Sequence, residues 1–229
     1  MKLITAGLVA LLLASPAYAA FDYVETFDSG FLPWTFAPNS GIVQAAGGNP
    51  GAFYQGTGPF FSGGPQPRTL FGFGDYSLPW HGNYRTDNVA TIGVDAIILT
   101  SAAPSTGYFL TLFLYSDGGG VGDAQIAYQV GPQLPEVGEG WMSVDFPVPS
   151  QSATLPAGWT FQDPTPNNPP PTYDWNVLIE NVDMMGFYFF DPANPGTPFQ
   201  QVGIDNARVA TGPVSVESES WSSVKALYR

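Results

Sequence analysis

The 229-residue sequence predicts an all-β protein built as an antiparallel β-sandwich, and three observations carry that expectation. Apolar residues recur mostly with period two; the runs are bounded by Gly, Pro, Asn and Asp; and helical stripes do not alternate with them as they would in an α/β chain. With 27 Gly and 23 Pro the chain is loop-rich, yet 44% apolar and 15% aromatic residues are enough for a packed core.

Residues 1–19 read as an export signal and stand outside the fold. Lys2 gives the positive start, residues 3–14 the apolar run, and Ala17-Tyr18-Ala19 a small-x-small cleavage site. About a dozen apolar residues is short of the ~20 that cross a bilayer. No second run of that length follows, so the mature chain is expected to be secreted, to the outside or the cell surface, without a transmembrane segment. Roughly 210 mature residues suffice for a core without covalent staples.

Period-two strands are expected at residues 23–27, 42–45, 70–73, 90–99, 108–115, 124–130, 141–148, 185–190 and 201–209. No helices alternate with these strands, but residues 173–183 place Trp175, Leu178, Ile179 and Val182 at helical spacing, with Asp174 near the start. Two segments without period, 46–68 and 149–172, are rich in Gly or Pro and are expected to be surface loops, since a ladder tolerates little proline. The sandwich domain spans residues 20–211. Residues 212–229 are expected to form a separate tail: Ser220 can cap a short helix whose Trp221, Val224 and Leu227 or Tyr228 share a face. It reads either as a frayed terminus or as a docking segment, and residues 220–229 also look like a tail that recurs on exported bacterial proteins.

Composition excludes several classes of function. Nineteen acidic against six basic residues give a net charge of −13, which leaves no electrostatic source for nucleic-acid binding. The absence of Cys removes thiolate nucleophiles and Cys-ligated zinc, and the single histidine, His81, cannot make a His-pair metal site. No G-x-S-x-G elbow, P-loop or G-x-G-x-x-G occurs. A glycosidase needs only two carboxylates, so inventory leaves that class open, but the acids lie mostly in turn contexts such as Ser116-Asp117-Gly118. The expectation is a protein that is not an enzyme.

Certain motifs resemble a known kind of domain. Phe27-Asp28-Ser29-Gly30 with Trp34, together with Ile204-Asp205-Asn206-Ala207-Arg208-Val209, resembles the jelly roll of galactose-binding-like domains and carbohydrate-binding modules. Gly82-Asn83-Tyr84-Arg85, Gly140-Trp141 and residues 149–156 are similar to exported bacterial proteins related in look to the laminin type IV module. The resemblance covers residues 21–210 and implies a jelly roll whose first and last strands bracket a structural calcium beside Asp28 and Asp205. Calcium takes six to eight oxygens, which carboxylates and loop carbonyls can supply. The alternative is that Asp28 opens a turn and Asp205 bonds a neighbouring loop.

Two candidate ligand sites follow. The loop Trp80-His81-Gly82-Asn83-Tyr84-Arg85 combines a ring to stack with amide and guanidinium donors. The reading placed ahead of it is a plug, with Trp80 and Tyr84 closing the sandwich end and Arg85 pairing with Asp75 or Asp87. The second is a sheet face. Strand 108–115 is apolar on both parities, and in strand 185–190 Phe187 and Phe189 oppose Tyr188 and Phe190, so one aromatic set faces away from the core. It is either covered by loops and the helix or forms a platform for sugar. The expected partner is a carbohydrate, or alternatively a component of the envelope or matrix that the protein serves structurally.

Overall fold

The computed structural model describes residues 23–31, 33–37, 41–58, 66–69, 80–101, 108–117, 124–162, 172–190, 192–193 and 200–212. The expected signal segment, the tail helix and the strand at 70–73 lie outside these residues. The described chain forms two antiparallel sheets facing each other across one core.

The elements in chain order are β1 (Tyr23–Glu25), β2 (Trp34–Ala37), β3 (Gly41–Gly48), β4 (Gly51–Gly58), β5 (Gln66–Thr69), β6 (Val89–Ser101), β7 (Phe109–Ser116), β8 (Gln125–Gln133), β9 (Met142–Pro147), β10 (Trp159–Gln162), α1 (Trp175–Glu180), β11 (Met184–Tyr188) and β12 (Gln200–Thr211). The first sheet runs β3-β4-β12-β6-β9, with β1 also on β12; the second runs β10-β8-β7-β11-β5-β2. Alternation sends Ile92, Val94, Ala96 and Ile98 of β6 into the core against Leu110, Leu112 and Leu114 of β7.

Four strands depart from the sequence expectation. β2 was unforeseen, and the segments read as surface loops contain β4 and β5 in the first case and β10 in the second. Within β4, Gly56 serves packing rather than a turn. A Cβ on Gly56 of β4 would collide with the Phe36 ring, so glycine lets that ring lie against the strand. β5 accommodates Pro67 opposite Phe36 of β2. The helix is shorter than its stripe but uses it: Asp174 caps α1 by accepting from the Asn176 N–H at 2.8 Å, and Trp175, Leu178, Ile179 and Val182 are all buried.

β12 organises the first sheet. One of its edges pairs with β6; along the other, residues 200–204 pair with β4 and residues 207–209 with β1, Tyr23 lying opposite Val209. The first and last described strands are therefore neighbours, as the jelly-roll resemblance implies. The change of partner coincides with a bulge between Asp205 and Arg208, where Asn206 adopts φ 45. There the Arg208 guanidinium, 6% exposed, holds Asp95 (5% exposed) at 2.9 Å and Asp145 at 2.7 Å.

Replacing Arg208 with Met strands the Asp95 carboxylate in a site built for an ion pair. Urea unfolding is expected to show a loss of about 3–5 kcal/mol, with part of it recovered in the Arg208→Met/Asp95→Asn double variant.

Candidate functional site

The Trp80–Arg85 loop is structural in every member. Trp80 is 0% exposed and packs edge-on against Trp34 and Tyr23, with ring centroids at 5.1 and 5.5 Å. Tyr84, also 0% exposed, donates its hydroxyl to the Trp80 carbonyl at 2.8 Å. Burial pushes the Tyr84 phenol far above its ordinary pKa. Neither ring offers a face to a ligand, which corrects the stacking role expected of Trp80 and Tyr84. Gly82 is stitched to Val182 by two backbone hydrogen bonds, and the Tyr84 N–H donates to Ile179, so the loop is clamped to the end of α1.

Asn83 is spent on a turn, its side-chain oxygen accepting from the Thr86 N–H at 2.9 Å. Arg85 donates to the carbonyls of Ser150 and Ser152 and to Asn176 Oδ1, and pairs with Glu180 at 3.4 Å. Its carboxylate partner is thus Glu180, where the sequence pointed to Asp75 or Asp87. His81 Nε2 lies 2.7 Å from Thr69 Oγ1. That hydroxyl also accepts from the Met185 N–H and donates to the Met185 carbonyl, which leaves it a lone pair for a proton on Nε2. Burial lowers the His81 pKa, in keeping with a neutral ring that braces β5 against β11.

Asp28 and Asp205 both face the β3–β4 turn. Asp205 accepts from the backbone N–H of Asn49 at 2.6 Å and of Asn206 at 2.7 Å. Asp28 accepts from the Ala52 N–H at 3.1 Å and from the Thr26 hydroxyl at 3.0 Å. Asn206 Nδ2 bonds the Asn49 carbonyl and, at 2.8 Å, Asp95. Every one of these four aspartate oxygens already accepts a hydrogen bond, and no three acidic or imidazole side chains converge to hold a metal among the described residues. The two carboxylates hold backbone N–H groups, as in the alternative reading of the sequence. Dialysis against EDTA is expected to leave the melting temperature unchanged, and a drop of several degrees would restore the ion.

Burial, with smaller contributions from the nearby Asp95 and Asp28 carboxylates, pushes the Asp205 pKa up to about 6, despite its two N–H donors. Asp205 and His81 therefore act on stability in opposite senses. The raised Asp205 pKa costs stability above about pH 6, a cost relieved as pH falls toward its unfolded value of about 4; the depressed His81 pKa costs stability once pH falls below about 6.5. Measured as differences in melting temperature from the wild type between pH 7 and 5, His81→Gln is expected to gain and Asp205→Asn to lose as the pH is lowered. A pH-independent difference in either variant refutes its assignment.

The other candidate is realised on the outer face of the second sheet. Phe113 of β7, Tyr128 of β8, Met184 and Tyr188 of β11, and Phe190 form a cluster separate from the main core, with half-buried Tyr115 and Ile126 against it. Phe113 and Tyr188 stack at 4.4 Å and 16°, and Phe190 packs on Tyr188 at 4.9 Å. The register Tyr128–Phe113–Gly186–Arg68 crosses four strands in one line. Gly186 keeps that line clear, for a Cβ there would meet Arg68 Cβ and the Pro67 carbonyl at 2.6 Å and the Phe113 ring at 2.8 Å. Phe187 and Phe189 point the other way, into the main core.

Helix α1 does not cover this face, since its buried residues belong to the main core. The central rings are nonetheless well packed, Phe113 being 1% exposed and Tyr188 6%, so the open positions are at the rim: Tyr115, Ile126 and Arg68. Tyr128 and Arg68 escaped sequence reasoning. Tyr128 carried a usable signal, the alternation of β8; Arg68 carried none, because β5 is four residues with a proline.

No protein-family model matches the chain, and no curated protein matches it. Among solved structures it is similar to the C-terminal family 22 carbohydrate binding module of Clostridium thermocellum Xyn10B, at 15% identity and TM-score 0.44 over 88% of this chain and 100% of that one. It is similar to an exo-beta-agarase at 12% identity and TM-score 0.45, over 87% of this chain and 26% of that one. A non-crystalline cellulose specific carbohydrate-binding module aligns at 11% identity and TM-score 0.38, over 82% and 92%. The antiparallel β-sandwich itself is read from the strand pairing of this chain. No helix among the described residues is long and apolar enough to cross a membrane.

Proposed function

We propose that the chain is a secreted, noncatalytic β-sandwich module that binds glycan at the aromatic outer face of its second sheet. The observation that carries the reading is the second aromatic cluster, set on a face turned away from the main core and edged by half-exposed Tyr115 and Arg68. Sugar rings present C–H faces that pack on aromatic side chains, while a guanidinium at the rim donates to their oxygens. The noncatalytic part rests on His81, whose ring is occupied in bracing the Thr69 hydroxyl.

Affinity electrophoresis of the full chain against soluble polysaccharides and a glycan array test the proposal. Binding is expected to fall about tenfold or more in Tyr115→Ala and Tyr188→Ala, as for other anchor rings, with the far-ultraviolet spectrum and melt reporting on folding. Tyr115, at the rim, keeps the test usable if Tyr188→Ala unfolds. Silence across the panel favours the structural or interaction role in the envelope.

A further inference from the structure

The domain between residues 20 and 211 has three basic side chains, Arg68, Arg85 and Arg208. Two are fully engaged in the fold. Arg208 is buried between Asp95 and Asp145, and Arg85 ties Glu180, Asn176 and two carbonyls together. Arg68 is different: among the described residues no carboxylate pairs with it, although the chain has 19 acidic residues.

Its surroundings make that arrangement costly. Arg68 is half-buried beside the aromatic cluster, with its Cβ over Gly186 and its charge close to the Tyr188 hydroxyl. Burial lowers its guanidinium pKa, the mark of a cation that has lost water without gaining an anion. A half-desolvated guanidinium is stabilised strongly by a planar oxyanion, which it can bind through two parallel N–H donors. The edge of Tyr188 and the half-exposed Tyr115 and Ile126 at the rim of the cluster supply the adjoining apolar and hydroxyl-bearing surface.

We infer that the aromatic face takes an acidic glycan, with the carboxylate of a uronic acid residue seated on Arg68 and the sugar ring against the Tyr188 side of the cluster. This rests on the glycan-binding reading and narrows it to a substrate class. The net charge of −13 repels such a polymer at long range. That repulsion is screened beyond about 8 Å at physiological ionic strength, whereas the contact pair is not. A neutral ligand would leave the guanidinium as it is; a carboxylate removes the desolvation cost.

Matched pectins supply the test, because polygalacturonate and its fully methyl-esterified form share a backbone and differ in charge. Isothermal titration of the full chain at 150 mM salt is expected to show the acid form binding about tenfold or more tightly than the ester, the usual scale of a charge-assisted pair. Alginate and glucuronoxylan extend the acidic arm, neutral xylan and cellulose oligosaccharides the neutral one, and a sulfated galactan separates sulfate from carboxylate. Arg68→Gln is expected to abolish the preference for the acid form and Arg68→Lys to keep part of it, both variants melting within a few degrees of the wild type. Equal binding of acid and ester, or a preference unchanged in Arg68→Gln, overturns the inference and leaves glycan binding standing. Tighter binding of the sulfated galactan than of every uronate overturns the choice of carboxylate. Silence toward every polymer overturns both readings.

Discussion

The first sheet depends on how one strand, β12, satisfies its backbone on both edges. Residues 200–211 have β6 along one side, while the other side is divided between β4 and β1. Where two strands meet end to end beside a third, the ladder is interrupted, and the amides at the joint need acceptors. The chain provides them with side chains: Asp28 takes the Ala52 N–H, Asp205 those of Asn49 and Asn206, and Asn206 reaches Asp95 and the Asn49 carbonyl. The bulge at Asp205–Arg208 turns these groups to the joint, and Arg208 offsets the carboxylate charge gathered there. Residues resembling a calcium-linked pair of termini thus perform the linkage with protein donors.

The same economy governs the rest of the charge. In an acidic chain each cation placed inside the domain has carboxylates available, and pairing is the ordinary outcome for a group removed from water. Arg85 follows that course by binding the Trp80–Arg85 loop to the residues 150–152 turn and to α1, closing one end of the sandwich over Trp80. The end with the densest collection of hydrogen-bonding and aromatic side chains is therefore the most fully occupied by the fold. Among the described residues, the cation without a carboxylate partner, Arg68, lies on a sheet surface.

How much of this could be read in advance varies with the range of the forces involved. Long apolar runs bounded by turn residues, such as β6, β7 and β12, and the Trp175-Leu178-Ile179 stripe of α1 were legible because the local pattern and burial agree. β4 and β5 were hidden because their Gly and Pro look like turn residues, and only tertiary contact, the Phe36 ring on Gly56 for example, shows that the glycine is there to admit a side chain; β10 was hidden because its four residues lie inside a segment otherwise rich in Pro. For the site, the doubled apolar parity of β7 and β11 announced an aromatic layer outside the core. A tryptophan beside an arginine suits either a plug or a ligand; the sequence favoured the plug, and Trp80 is sealed. Arg68 joined the layer through the β5–β11 register, a nonlocal pairing with no trace in the four residues around it.

The adjacency of Tyr23 and Val209 also fixes how the domain meets mechanical load. Because β1 and the last part of β12 run antiparallel, the described chain enters and leaves at one pole of the sandwich. Tension between these two ends separates their three-residue ladder one rung at a time, without the resistance of bonds broken together in shear. Tension from the β12 end against the second sheet follows another path. It is carried by a strand held on both edges and by the core between the layers. The sandwich is therefore weak under a pull between those two ends and firm under a pull on β12 against the opposite sheet.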